Sequence, residues 1–298
     1  MAQRIAKRAT ISAMASGTMI TVAPTGAESD PSAAPSLPVT TAALVEAGLA
    51  CAAAGAAVIH VHVRDETGAS TVDVARYRDA VGALRAATPL VVQVSTGGAV
   101  TDSEDDRIGV LDCGAESASL TLGTVNFGDD IFVNRWPFVV RLYQRMRELG
   151  VTPEFECFDT GHITALHRLL DKHGPPVGGH VHVDFVCGVP GGMPGTAAAL
   201  AHAVSMLPAG ATFSATGVGR STLPIALATL AHGGHLRVGM EDTLTFLPGE
   251  PVRDNAQLVT RAAALATLAG RPPLAPAAAR QLLGLRATGE TAGHTKEN

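Results

Sequence analysis

A chain of 298 residues with 46% hydrophobic and 16% charged side chains can bury a large core, which excludes a disordered or fibrous protein. Its 22 Lys and Arg against 27 Asp and Glu give a formal net charge of −5 with no block of one sign, so neither nucleic acid nor an anionic membrane is an expected partner. No apolar run reaches the roughly 18 residues of a membrane span, and the stretch from Ala9 to Gly17 is too polar for a secretory core, so a soluble single domain is expected.

Taken in chain order, short β-branched runs alternate with longer Ala/Leu-rich stretches of helical spacing, the pattern of a parallel sheet. Strands are predicted at Met19–Ala23, Ala57–Val63, Leu90–Val94, Ser117–Leu122, Glu154–Phe158, His180–Val186, Thr212–Ala215 and Leu236–Gly239. Helices are predicted at about 41–54, 74–87, 103–112, 131–149, 162–173, 196–206, 222–232 and 254–269. Eight β-then-α units point to an α/β protein with the (β/α)8 TIM barrel fold rather than a doubly wound sheet. A short N-terminal extension (about 1–18) and a polar C-terminal tail (about 287–298), the latter without apolar spacing and expected to be disordered or to contact a partner, flank the barrel. Cys51, Cys113, Cys157 and Cys187 form no C-x-x-C pair and sit mostly in apolar segments, which suits reduced core thiols and a cytoplasmic protein.

Barrel enzymes carry their chemistry at the carboxyl ends of the strands. Those positions here are rich in polar residues: Glu28, His60 to Asp65, Ser95-Thr-Gly-Gly98, Ser119, Thr121, Glu156, His182, Asp184, Thr216 to Arg220, and Arg237 to Asp242. His60 and His62 alternate with Val61 and Val63, so in a strand both imidazoles face one way and can chelate one ion. Two imidazoles and a carboxylate, with a position open to water or substrate, form a common catalytic zinc arrangement. Because the first, second and eighth strands become neighbours when a barrel closes, Glu241 is the expected third ligand. His180-Val-His182-Val-Asp184 fits the same pattern, but His182 is expected to line the pocket and His180 to be structural.

At these residues the chain resembles the β-keto acid cleavage enzymes, a family whose members include an enzyme of lysine fermentation. The resemblance runs from about Ile20 to Leu285 and rests on ordered motifs: Thr25-Gly-Ala-Glu28 with Leu37-Pro-Val-Thr, His60-Val-His62-Val-Arg64, Gln93-Val-Ser95-Thr-Gly-Gly, Gly123-Thr-Val-Asn126-Phe-Gly-Asp-Asp, Gly188-Val-Pro-Gly-Gly-Met, Gly217-Val-Gly-Arg220 and Gly234-His-Leu-Arg237-Val-Gly-Met-Glu241-Asp242. It implies a homo-oligomeric zinc enzyme, a homotetramer, that takes a β-keto acid and acetyl-CoA and releases acetoacetate and a new acyl-CoA. The implied metal ligands are His60, His62 and Glu241, and the implied proton-abstracting pair is Arg237 with Asp242. Substrate contacts are implied for Glu28, Ser95, Gly98, Ser119, Thr121 and Glu156. Ser119 stands where the family carries a threonine, Thr121 where it carries an asparagine and Asp184 where it carries a glutamine. Two acids, Glu28 and Glu156, favour a cationic tail, as in a 5-amino-3-oxo acid such as 5-amino-3-oxohexanoate.

The same residues allow plainer readings. Glu241 and Asp242 suit loop or capping acids, Arg237 an ion pair, Arg64 a partner for Asp65 or the barrel rim, and Ser95-Thr-Gly-Gly a tight turn. The glycines from Gly188 to Gly195 suit turns as well as a cradle for coenzyme A. Two rival classes also stand: a metal-dependent aldolase or hydrolase that ignores acetyl-CoA, and a non-catalytic barrel.

Overall fold

A computed structural model describes residues 17–32 and 34–285. The expected C-terminal tail and nearly all of the N-terminal extension lie outside them. Eight parallel strands close into one barrel: β1 (Ile20–Val22), β2 (Val58–Val61), β3 (Val91–Val94), β4 (Ser117–Thr121), β5 (Thr152–Cys157), β6 (His182–Cys187), β7 (Thr212–Gly217) and β8 (His235–Val238). Each pairs with its sequence neighbours, and β1 pairs with both β2 and β8 to close the ring.

The helices are α1 (Thr41–Ala54), α2 (Val74–Ala87), α3 (Glu104–Gly109), α4 (Trp136–Leu149), α5 (Thr160–His173), α6 (Ala197–Ser205), α7 (Thr222–Ala231), α8 (Asn255–Leu268) and α9 (Pro276–Leu282). Side-chain oxygens of Thr40, Asp73, Ser103, Asp159, Thr196 and Asp254 accept from the first free N–H groups of six of them, so the loops leaving the strands end in residues that start helices. The predicted helix 131–149 begins five residues later, at Trp136, because Asp130–Phe132 pairs with Val125–Phe127 in a two-stranded ribbon. Gly128, at φ +65°, makes that turn. The predicted helix 103–112 ends as α3, continues as a 3-10 turn and stops at Gly114. Helix α9, which the sequence reading did not include, packs Ala279 and Leu283 against Met19, Val58 and Val91 at the amino-terminal end of the barrel.

The apolar core lies between strands and helices, with Tyr77, Phe138, Tyr143 and Phe155 among its fully buried side chains. The inside of the barrel differs from the layers of Val, Ile and Leu usual in this fold. Thr21, His60, Gln93, Ser117, Glu154, His182, Asp184, Ser214, Thr216 and Arg237 are all buried on the strands. The barrel interior is therefore a polar, hydrogen-bonded column topped by the candidate site.

Candidate active site

A cavity of about 740 Å³, counting the space at its open mouth, sits at the carboxyl ends of the strands. His60, His62, Ser95, Gly98, Glu28, Glu156, Arg237, Glu241 and Asp242 line it, so the loops after β1, β2, β3 and β8 converge there with side chains from β2, β5 and β8 themselves.

His60 ends the polar face of β2, and His62 follows directly, its ring centroid 5.3 Å from that of His60. Val61 and Val63 point the other way into the core. Glu241 reaches them because β8 approaches β1 very closely. A Cβ on Gly239 would lie 1.9 Å from the Ala23 carbonyl oxygen, so only glycine allows this approach. The Glu241 N–H then donates to that same oxygen at 3.1 Å. Gly26, at φ +68°, leaves room for the Glu241 side chain.

One ligand atom from each of His60, His62 and Glu241 falls within 4.8 Å of the others. The donor set fits a divalent ion. Glu241 Oε2 is buried without a hydrogen-bond partner, as expected of an oxygen reserved for a cation. His60 Nδ1 lies 2.6 Å from Gln93 Oε1, and an amide oxygen can only accept, so the proton sits on Nδ1 and leaves Nε2 free to coordinate. Burial, with Arg237 nearby, pushes the His60 pKa down to about 3, which keeps the ring neutral. Burial would raise the Glu241 carboxyl, but Arg237 and the two histidines hold it well below its usual range.

Arg237 is the hub of the site. Its guanidinium grips Asp242 through Nε at 3.3 Å and Nη2 at 3.1 Å, donates from Nη1 to Glu156 Oε1 at 3.2 Å, and donates from Nη2 to Glu241. Burial opposes its charge, yet Asp242, Glu241, Asp184 and Glu156 raise its pKa well above the ordinary value, so it stays cationic. Asp242 is pushed up to about 7, by burial first, against the pull of Arg237.

The structure sorts the remaining candidates. Glu28 lines the cavity at an exposed position after β1. Glu156 also lines it, with its second oxygen accepting from the Thr121 hydroxyl at 2.7 Å. Ser119 and Thr121 are buried and do not line the cavity; Ser119 Oγ accepts the Thr96 N–H at 3.3 Å. Ser95 Oγ caps the following turn by accepting the Gly97 N–H at 3.0 Å while facing the cavity. Arg64 is a strut: it donates to the carbonyls of Gly26, Ser29 and Gly68 and so holds the loop that carries Glu28.

His182, expected at the pocket, lies below it. Its Nε2 is 3.0 Å from Ser214 Oγ and 3.5 Å from Glu154 Oε2, and Nδ1 is 2.7 Å from Thr212 Oγ1, which His180 also meets at 2.7 Å. The second H-x-H run is thus tied into the lower barrel. Two residues that sequence reasoning did not assign emerge here. Gln93 was visible only as part of a motif, and Glu154 only as the start of a strand.

Glu154 is fully buried, and burial, reinforced by Asp184, raises its pKa from 4.5 to about 8. The folded protein then binds a proton that the unfolded chain releases above pH 4.5. The resulting stability is complete below about pH 4.5 and is lost as pH rises toward 8, by at most about 1.4 kcal/mol per pH unit for one proton. The expected result is that Glu154→Gln flattens the fall of the urea midpoint between pH 5 and pH 8. Equal slopes in both proteins would place that proton elsewhere.

Comparison with known proteins agrees with this geometry. Residues 17–285 match the family model described as beta-keto acid cleavage enzyme. A 3-keto-5-aminohexanoate cleavage enzyme of Acetoanaerobium sticklandii is 37% identical over 273 residues, covering 90% of this chain and 98% of the relative. A 3-oxoadipate:acetyl-CoA acetyltransferase of Cupriavidus necator is 35% identical, covering 90% of this chain and 94% of the relative. Among solved structures, apo ObcA superposes with a TM-score of 0.72 at 21% identity, over 84% of this chain and 66% of that one, which shows the shared fold. On a family match spanning almost all described residues, the chain belongs to the β-keto acid cleavage enzyme family.

Proposed function

We propose that the enzyme moves coenzyme A from an acetyl group to the acyl part of a β-keto acid: R–CO–CH2–COO⁻ and acetyl-CoA give acetoacetate and R–CO–CoA. The observation that carries this reading is the His60–His62–Glu241 cluster beside the Arg237–Asp242 pair in one cavity, in a chain of this family. A divalent ion held by the three ligands, with zinc best suited to two imidazoles and a carboxylate, would supply Lewis acidity at the keto acid's oxygens.

The chain's own residues account for the proton and the positioning. Arg237 stays cationic, so the Asp242 carboxylate takes the proton from the carbon between ketone and carboxylate, and Arg237 steadies the charge that develops. The Ser95 hydroxyl and the backbone beside Gly98, which line the cavity, orient the substrate carboxylate in this reading. The resulting carbanion attacks the thioester carbonyl, thiolate leaves and adds to the other ketone, and carbon–carbon cleavage releases acetoacetate, whose carbanion recovers the proton from Asp242. Ser119 and Thr121 support this set from beneath, Glu156 lines the cavity beside Arg237, and Glu28 guards the rim.

Four free, buried cysteines support a cytoplasmic setting. The family resemblance supports a homotetramer. Among the described residues, no helix is long and apolar enough to cross a membrane.

The test is acetoacetate release from acetyl-CoA and a panel of β-keto acids, with ion-loaded and chelator-stripped protein. Ion-dependent release is expected. Bound ion without acetoacetate from any acid would favour a metal-dependent aldolase or hydrolase.

A further inference from the structure

The cavity has two unlike halves. The candidate ion ligands, Arg237, Asp242 and Glu28 occupy the side of β1, β2 and β8, whereas Phe127, Phe132, Phe158, Val186, Val189 and Val218 line the side of β4 to β7, where, among the described residues, Glu156 of β5 is the one acid lining the cavity. These apolar side chains form a cluster separate from the main core. We propose that this wall is the tail subsite for R, and that it selects β-keto acids with an uncharged, apolar tail.

The wall is built in place rather than left over. Phe127 packs edge-on to both Phe132 and Phe158, with centroids 6.4 and 6.1 Å away. The Arg107 guanidinium stacks behind Phe132 at 4.7 Å and fastens its ribbon through Val133 O and Asn134 Oδ1. Gly128 N–H donates to Pro190 O at 3.1 Å, which ties the ribbon to the loop after β6. An apolar wall lining an otherwise polar cavity is the mark of a site for an apolar group.

Charge balance points the same way. Glu156, on β5, already bonds Arg237 and Thr121. Glu28 lines the same cavity from the loop after β1, the strand opposite β5 in the ring. An ammonium on this wall would find Glu156 already bonded to Arg237, whereas an apolar tail fills the wall with no charge to desolvate.

This inference rests on the proposed reaction, and the experiment separates the two. The acids 5-methyl-3-oxohexanoate and 5-amino-3-oxohexanoate have the same shape and differ by methyl against ammonium. The ion-loaded enzyme is expected to favour the methyl acid in kcat/KM by about tenfold or more. Phe127→Ser is expected to shrink that ratio severalfold. Equal or better use of the amino acid overturns the tail assignment while leaving the reaction standing. An unchanged ratio in Phe127→Ser, with a raised KM for acetyl-CoA, assigns the wall to the pantetheine arm and also overturns it. Absence of acetoacetate from both acids and from 3-oxohexanoate would sink the reaction and the subsite together.

Discussion

Replacing Arg237 with methionine is expected to destabilise the ion-free protein by about 3–5 kcal/mol, among the largest losses a single substitution produces. The cause is the charge it leaves behind. Glu156, Glu241 and Asp242 all bond this one guanidinium, and each is buried or nearly so. Without it, three carboxylates share a pocket with no side-chain cation bonded to them. Lysine at 237 is expected to restore little, because a single ammonium cannot fork to three carboxylates at once. Urea unfolding of both variants, run beside the acetoacetate assay, checks this; a loss under about 1 kcal/mol for the methionine variant would show that the acids are held neutral by other means.

The second large effect is expected at His60. His60→Ala removes one of three ligands and is expected to lower activity by at least about a hundredfold, with no ion retained after dialysis against a weak chelator. The fold should survive, since the lost ring touches the polar column rather than the apolar core, although Gln93 then loses its partner at a penalty of about 1–3 kcal/mol. Gln93→Leu makes a graded control: it leaves the ligand but frees its ring, and about 10–100-fold weaker ion binding is expected. Ion content measured by mass spectrometry decides the matter. Full retention of ion by His60→Ala would remove it from the ligand set.

Much of this architecture was legible before any coordinates. Strand and helix runs follow the periods of burial, and the βα alternation is a direct consequence of a sheet covered by helices. The meeting of His60, His62 and Glu241 followed from strand alternation and from closure of an eight-unit ring. What escaped was depth. His60 and His182 sit in identical H-x-H patterns, but His60 pairs with Gln93 in β3, whereas His182 pairs with Thr212, the first residue of β7. The pattern fixes a face and is silent on height along the strand. The apolar wall escaped for another reason. Its residues come one or two at a time from separate loops, where no period marks them, and the Phe127–Phe132 ribbon hides beside a helix-like run. Gln93 was missed because an amide beside a histidine looks like ordinary strand polarity until the partner distance is known.

Glu241 is set by the contact between β1 and β8, the first and last strands of the ring, through Gly239 and the Ala23 carbonyl. The histidines leave the ribosome early and the glutamate late, so a growing chain has no complete ion trap until its final strand has joined its first. Ion capture at the proposed site would therefore report closure of the whole ring, a long-range event, rather than local folding around the histidines. An ion held there would also work as a latch across the seam where the barrel would otherwise unzip, so stripping it should speed unfolding from the two chain ends.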